Sequence, residues 1–216
     1  MMRKHFDQQL KELHDSLLKM GTMVEKAIDI AIQSLIEQDI EKAKKVIEID
    51  DKIDALEVQI EEKCLDLIAL QQPIARDLRK ISTILKIITD LERIGDHAVN
   101  IAEVVIKIGK EKFIKPLIDI PKMADIVKEM VKNSLNSYIK EDLKLAKEVA
   151  QKDEIVDNIY KDIYIELLEL LTKNKKNMPQ TINLLLIGRY LERVADHTTN
   201  ICERIIYMIT GERVSY

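Results

Sequence analysis

A thirteen-residue polar motif occurs twice, a hundred positions apart, and no other feature limits the fold as tightly. Leu91-Glu92-Arg93-Ile94-Gly95-Asp96-His97-Ala98-Val99-Asn100-Ile101-Ala102-Glu103 returns as Leu191-Glu192-Arg193-Val194-Ala195-Asp196-His197-Thr198-Thr199-Asn200-Ile201-Cys202-Glu203, with eight of the thirteen positions identical. Most of the shared residues are polar. Helices copied only for packing would keep their apolar positions and let the polar ones drift, so a repeated polar set predicts a repeated site.

The surrounding pattern predicts helices. Residues 6 to 37 place Leu10, Leu13, Leu17, Met20, Val24, Ala27, Ile28, Ala31 and Leu35 near the helical period. A second helix carries Val46, Ile49, Ile53, Leu56 and Ile60 toward Gln71-Gln72-Pro73, and a third has a seam of Ile81, Ile84, Ile88, Leu91, Gly95, Ala98, Ala102 and Val105. Pro121 opens a fourth helix, Lys140-Glu141-Asp142 separates it from a fifth reaching Leu167, and a loop from Thr172 to Pro179 precedes a sixth that ends at Gly211. With 5 Gly, 4 Pro and no Trp among 216 residues, few turns are available. The predicted class is all-α: six long helices in two tandem, pseudo-symmetric antiparallel three-helix bundles, over residues 1–113 and 114–216.

Charge narrows the partners. The 34 basic and 38 acidic side chains are interspersed, giving a formal charge of −4 without a basic block, which argues against nucleic acid. No apolar run approaches the 18 residues of a membrane span, and the start of the chain is charged where a signal peptide would be apolar, so a cytoplasmic protein without direct membrane insertion is expected. Cys64 and Cys202 stand alone in helical patterns and are expected to be small core residues.

Glu92 and Asp96 lie four apart on one helix, as do Glu192 and Asp196, which puts each pair on one face about 5–6 Å apart at Cβ. Asp50 with Asp54 and Asp153 with Asp157 repeat that spacing on the preceding helices. Antiparallel residues share a level when their midpoint falls in the turn. The midpoint of residues 52 and 94 is Pro73, and that of residues 155 and 194 lies between Asn174 and Lys175, so each half brings its two pairs level on the outer side of its bundle. Beside them the third-helix seam shrinks to Gly95, Ala98 and Ala102, and the sixth-helix seam to Ala195, Thr198 and Cys202, which lets the helices approach. Close carboxylates repel by roughly 1–4 kcal/mol per pair at about 4 Å. A bound cation removes that cost. Oxygen donors without thiolates suit Mg, Mn, Ca or oxidised Fe, with Zn admitted if a histidine joins. His97, Asn100, His197 and Asn200 are additional metal or outer-shell candidates. A solvated acidic face is the competing explanation, since Arg93, Arg189 and Arg193 lie three residues before an acid, but Asp50 and Asp153 have no basic residue at that spacing.

The repeated Leu-Glu-Arg-[Ile/Val]-[Gly/Ala]-Asp-His-x-x-Asn-Ile, with Gln72-Pro73-Ile74-Ala75-Arg76-Asp77-Leu78-Arg79, resembles the PhoU family of bacterial phosphate-specific transport accessory proteins along the whole chain. The resemblance implies two three-helix bundles and multinuclear iron or zinc clusters on Asp50, Asp54, Glu92, Asp96, Asp153, Asp157, Glu192 and Asp196. It also implies a non-enzymatic regulator that restrains phosphate uptake and the phosphate-starvation response. Its partners would be the phosphate ABC transporter and the sensor histidine kinase of a two-component system, which would hold it peripherally at the inner membrane, and a homodimer is the expected assembly. Two alternatives differ in class: a metal-free helical adaptor, and a carboxylate-bridged metal enzyme. The enzyme needs Glu-x-x-His spacing, and His97 follows Glu92 by five.

Overall fold

A computed structural model describes the backbone of residues 2–71 and 73–216 and the side chains of residues 6–70 and 73–216. Gln72, assigned from sequence to the turn before Pro73, lies outside the described residues, as does Met1. Among the described residues seven α-helices run in order: α1 Met2–Glu37, α2 Ile40–Gln71, α3 Ala75–Ile108, α4 Asp119–Lys140, α5 Leu143–Ala150, α6 Asp153–Lys173 and α7 Met178–Thr210, with a 3₁₀ turn at Lys175–Asn177 before α7. Helices α1, α2 and α3 pack against one another, as do α4, α5/α6 and α7. The halves meet where α3 lies against α7 and α1 against α4.

The duplication is visible in the turns. Gln38 and Glu141 both have positive φ, 50° and 48°, and each is followed by an aspartate that caps the next helix. Asp39 Oδ1 accepts from the Lys42 N–H at 3.0 Å, and Asp142 Oδ1 accepts from the Leu145 N–H at 3.0 Å. Gly109 and Gly211 close α3 and α7 with φ of 60° and 80°, a conformation that a side chain would strain. The linker between the halves is clamped by α7: the buried Gln180 side chain accepts from the Ile114 N–H and donates to the Lys112 carbonyl.

The predicted seams form the core. Leu13, Leu17, Met20, Val24, Ile28 and Leu35 of α1 are fully buried against Ile53 and Ile60 of α2 and Ile81, Ile84 and Leu91 of α3. Each such side chain contributes about 1.5–3 kcal/mol by leaving water. Cys64 and Cys202 are free and buried, as expected of core residues. Where α1 crosses α4, a Cβ on Gly21 would fall 1.9 Å from Leu135 Cδ1, so glycine leaves room for the Leu135 side chain between the two helices.

One element differs from the sequence expectation: the predicted fifth helix is two, α5 and α6. Near Gln151–Lys152 the ladder tightens to i→i+3 bonds, from the Lys152 N–H to the Val149 carbonyl at 3.0 Å and from the Ile155 N–H to the Lys152 carbonyl at 3.0 Å. Lys152 turns its ammonium to Glu129 on α4, 2.8 Å away. Apolar periodicity survives such a kink, which is why Leu145 to Leu167 reads as one helix. A second, smaller difference is that α4 starts at Asp119, so Pro121 lies inside its first turn, where a missing N–H costs nothing.

Candidate functional site

In the first half α2 and α3 bring Asp50, Asp54, Glu92 and Asp96 together. At Gly95 the helices leave little space: an added Cβ would fall 2.6 Å from Asp50 Oδ1 and 3.4 Å from Ile53 Cδ1. The small residue therefore admits a carboxylate between the helices. Burial, followed by the charges of Asp54, Asp96 and Glu92, pushes the Asp50 carboxyl from its ordinary 3.8 up to about 7. Burial and neighbouring acids also raise Asp54 and Glu92. One Asp50 oxygen is buried with no hydrogen-bond partner. Arg93 is the local counter-ion, 3.3 Å from Glu92 and 3.0 Å from Asp96.

The second half repeats the arrangement with Asp153, Asp157, Glu192 and Asp196. Burial, then Asp157, Asp196 and Glu192, raises Asp153 to about 6, and burial with Asp196 raises Glu192. Asp153 Oδ1 and Glu192 Oε2 are buried and unpartnered. Two guanidiniums serve this cluster: Arg189 on Glu192, and Arg193 at 3.4 Å from Asp196. Asp153 occupies the first turn of α6, where the partial positive charge of a helix N-terminus favours its ionised form, whereas Asp50 lies inside α2.

Sequence reasoning passed over Glu57. It lies one turn beyond Asp54, its carboxyl is raised by burial and by Glu61 and Asp54, and it faces Thr89 on α3. The i+3 spacing from Asp54 was the available signal. At the corresponding place in the second half stands Tyr160, whose ring lies over Gly188 so closely that a Cβ there would come within 3.0 Å of it.

His97 and His197 are placed against each other, on the seam between α3 and α7. Their ring centroids are 5.6 Å apart. Asp90 Oδ1 is 2.9 Å from His197 Nδ1, and Tyr190 stacks on His97 with centroids 5.9 Å apart. Burial, followed by the repulsion two protonated rings would exert on each other, lowers His97 to about 4, so its imidazole is neutral at physiological pH. Asp90 and Tyr190 were also missed, because nothing in a local pattern tells which residues an inter-half contact will join. Asn100 and Asn200 are half-buried one turn beyond Asp96 and Asp196.

These clusters suit a hard cation in donor type, in excess negative charge and in their orphaned buried oxygens. Among the described residues, however, no group of three or more His, Cys, Asp or Glu side chains already stands so as to hold a metal ion. Glu92 and Asp96 turn to Arg93, and Glu192 and Asp196 to Arg189 and Arg193. Among the described residues no helix is long and apolar enough to cross a membrane.

Comparison with known proteins agrees with the duplicated architecture. The family model described as the PhoU domain matches twice, at residues 17–105 and 120–205. The chain is 46% identical over 215 residues to the phosphate-specific transport system accessory protein PhoU homolog of Clostridium acetobutylicum, spanning 99% of this chain and 98% of that one. The homolog of the same name in Aquifex aeolicus is 44% identical over 208 residues, 96% of this chain and 94% of that one. The crystal structure of PhoU from Pseudomonas aeruginosa superposes with a TM-score of 0.92 at 36% identity, covering 96% of this chain and all of that one. Sequence, duplication and fold agree, and the chain belongs to the PhoU family.

Proposed function

We propose that this chain is a metal-binding regulatory protein that restrains phosphate uptake and phosphate-starvation signalling. It acts on the phosphate ABC transporter and its two-component sensor histidine kinase, as a cytoplasmic homodimer held at the inner membrane by those partners. The relatives named as accessory proteins of phosphate-specific transport support the regulatory part. The metal part rests on one observation: Asp50, Asp153 and Glu192 each bury a carboxylate oxygen without a partner, inside clusters where acids outnumber arginines. Leaving such an atom unsatisfied is costly, and a cation offsets it.

In this reading Asp50, Asp54, Glu92 and Asp96 hold cations in one half, and Asp153, Asp157, Glu192 and Asp196 in the other. Iron or zinc clusters fit, and Mg, Mn or Ca suits the same oxygen donors. A cation held by these residues would supply positive charge between α2 and α3 and between α6 and α7, and would stiffen a surface that a partner reads. The chain's own residues bind and orient, and no catalytic role is assigned to them.

A metal-free helical adaptor is the second reading, favoured by the lack of a preformed three-donor group among the described residues. Elemental analysis of protein purified without tag or chelator separates the two. Stoichiometric metal that is lost with both clusters neutralised supports the first reading, and metal-free protein that still restrains a phosphate-responsive reporter supports the second.

A further inference from the structure

The packing of α3 against α7 joins two residues a hundred positions apart. His97 and His197 occupy equivalent places in the repeats, and their rings meet with centroids 5.6 Å apart and planes inclined by 37°. Each ring is held by a different device from the opposite half. Asp90 on α3 takes His197, its Oδ1 2.9 Å from Nδ1, while Tyr190 on α7 stacks on His97 at 5.9 Å with planes 23° apart. Asp90 and Tyr190 are themselves equivalent positions, so the duplication has kept the histidines and made their supports unlike.

A neutral His197 that donates Nδ1–H to Asp90 keeps its Nε2 lone pair, the arrangement that fixes and strengthens an imidazole as a ligand. His97 lacks such a partner, and its Nδ1 is buried with no hydrogen bond. Two imidazoles bound at about 2.0–2.1 Å to one tetrahedral ion have ring centroids about 5–6 Å apart, which the observed separation matches. We propose that His97 and His197 form a third cation site, on the seam between the halves, for an imidazole-preferring divalent ion of the copper, nickel or zinc class. Asp90 stands behind His197 as the orienting carboxylate, and solvent completes the shell. This site differs from the carboxylate clusters in place and in donor chemistry, and it stands whether or not those clusters bind metal.

Copper(II) alone is the probe, titrated into the full chain and followed by electron paramagnetic resonance, because nitrogen coupling counts bound imidazoles. Wild type is expected to show one copper signal with two coupled imidazoles. His97→Gln or His197→Gln should leave one imidazole and weaken binding at least tenfold, and Asp90→Asn should weaken it several-fold. Asp50→Asn with Asp96→Asn should leave the two-imidazole signal intact, so failure here and failure of the carboxylate reading are distinguishable. A two-imidazole signal that survives His97→Gln or His197→Gln overturns the proposal, as does a copper spectrum with oxygen ligands only. A further measurement needs no variant. With ¹⁵N-labelled histidine, zinc should shift the imidazole resonances of His97 and His197 among the four histidines, and shifts confined to His5 and His14 overturn the site.

Discussion

The two carboxylate clusters share a framework and differ in what surrounds it. The first sets Asp50, Asp54, Glu57, Glu92 and Asp96 against the single guanidinium of Arg93. The second sets Asp153, Asp157, Glu192 and Asp196 against both Arg189 and Arg193. Tyr160 replaces the acid at Glu57, and the Arg189 position corresponds to Thr89. The first half therefore carries more uncompensated charge, and its central aspartate is raised to about 7, whereas Asp153, at about 6, is also held down by the Thr199 hydroxyl. Duplication preserved the four-carboxylate frame while neighbouring positions tuned the halves apart. On the proposed metal-binding reading, the first cluster should bind more strongly and respond more to pH.

The largest expected effect comes from neutralising one cluster. Saturating metal at a hundredfold excess over Kd should stabilise the wild-type chain by about 2.7 kcal/mol per site. Asp50→Asn with Asp96→Asn should abolish the first half's share, leave the second half's share, and fold at least as stably as wild type in chelator, because repulsion is relieved. Thermal melting with and without metal measures both. An unchanged metal response in the double variant removes the first cluster as a site and the comparison with it.

Acidity gives the next test. Asp50 and Asp153 are raised from 3.8 to about 7 and about 6, so between those values the folded chain holds protons that the unfolded chain has released. Their contribution is full below about pH 4 and is lost as pH rises through 6 to 7, so metal-free protein should lose stability from pH 5 to pH 8. Chemical denaturation in chelator at these two pH values checks it. Asp50→Asn should flatten that slope more than Asp153→Asn, and the reverse order would invert the ranking of the halves.

Exchanging the tuning residues sharpens the comparison at lower amplitude. Glu57→Gln should weaken cation binding in the first half and Arg189→Thr should tighten it in the second, each by about 1 kcal/mol, or roughly fivefold in Kd, for partly screened charges. Isothermal titration of each variant, in a background where the other half's cluster is neutralised, reads the two shifts separately. Shifts of the same sign would show that charge count does not set the difference.

The smallest effect is expected at Gly95→Ala, which gives the first half the Ala195 of the second. The new Cβ must displace Asp50 Oδ1 from 2.6 Å, while helix propensity gains up to about 1 kcal/mol, so net stability should change by less than about 1 kcal/mol. The readout is the metal-induced rise in melting temperature, which should fall toward that of the second half as Asp50 is pushed aside.

Helix content, two-bundle architecture and the level pairing of acids follow from the chain itself. Apolar period and turn residues are local properties, and a hairpin with a known turn fixes which residues stand opposite. Asp50 could thus be matched to Glu92 and Asp96 from numbering alone, and Gly95 pointed to close approach. The kink at Gln151–Lys152 was not legible, because Lys152 is drawn to Glu129 by tertiary contact and the apolar pattern continues through the bend. Nor was the meeting of His97 with His197, or the support from Asp90 and Tyr190. Those contacts depend on how one bundle docks on the other. The docking is decided by the close packing of α3 on α7 and of Gly21 against Leu135, an interaction between distant surfaces with no period or spacing to announce it.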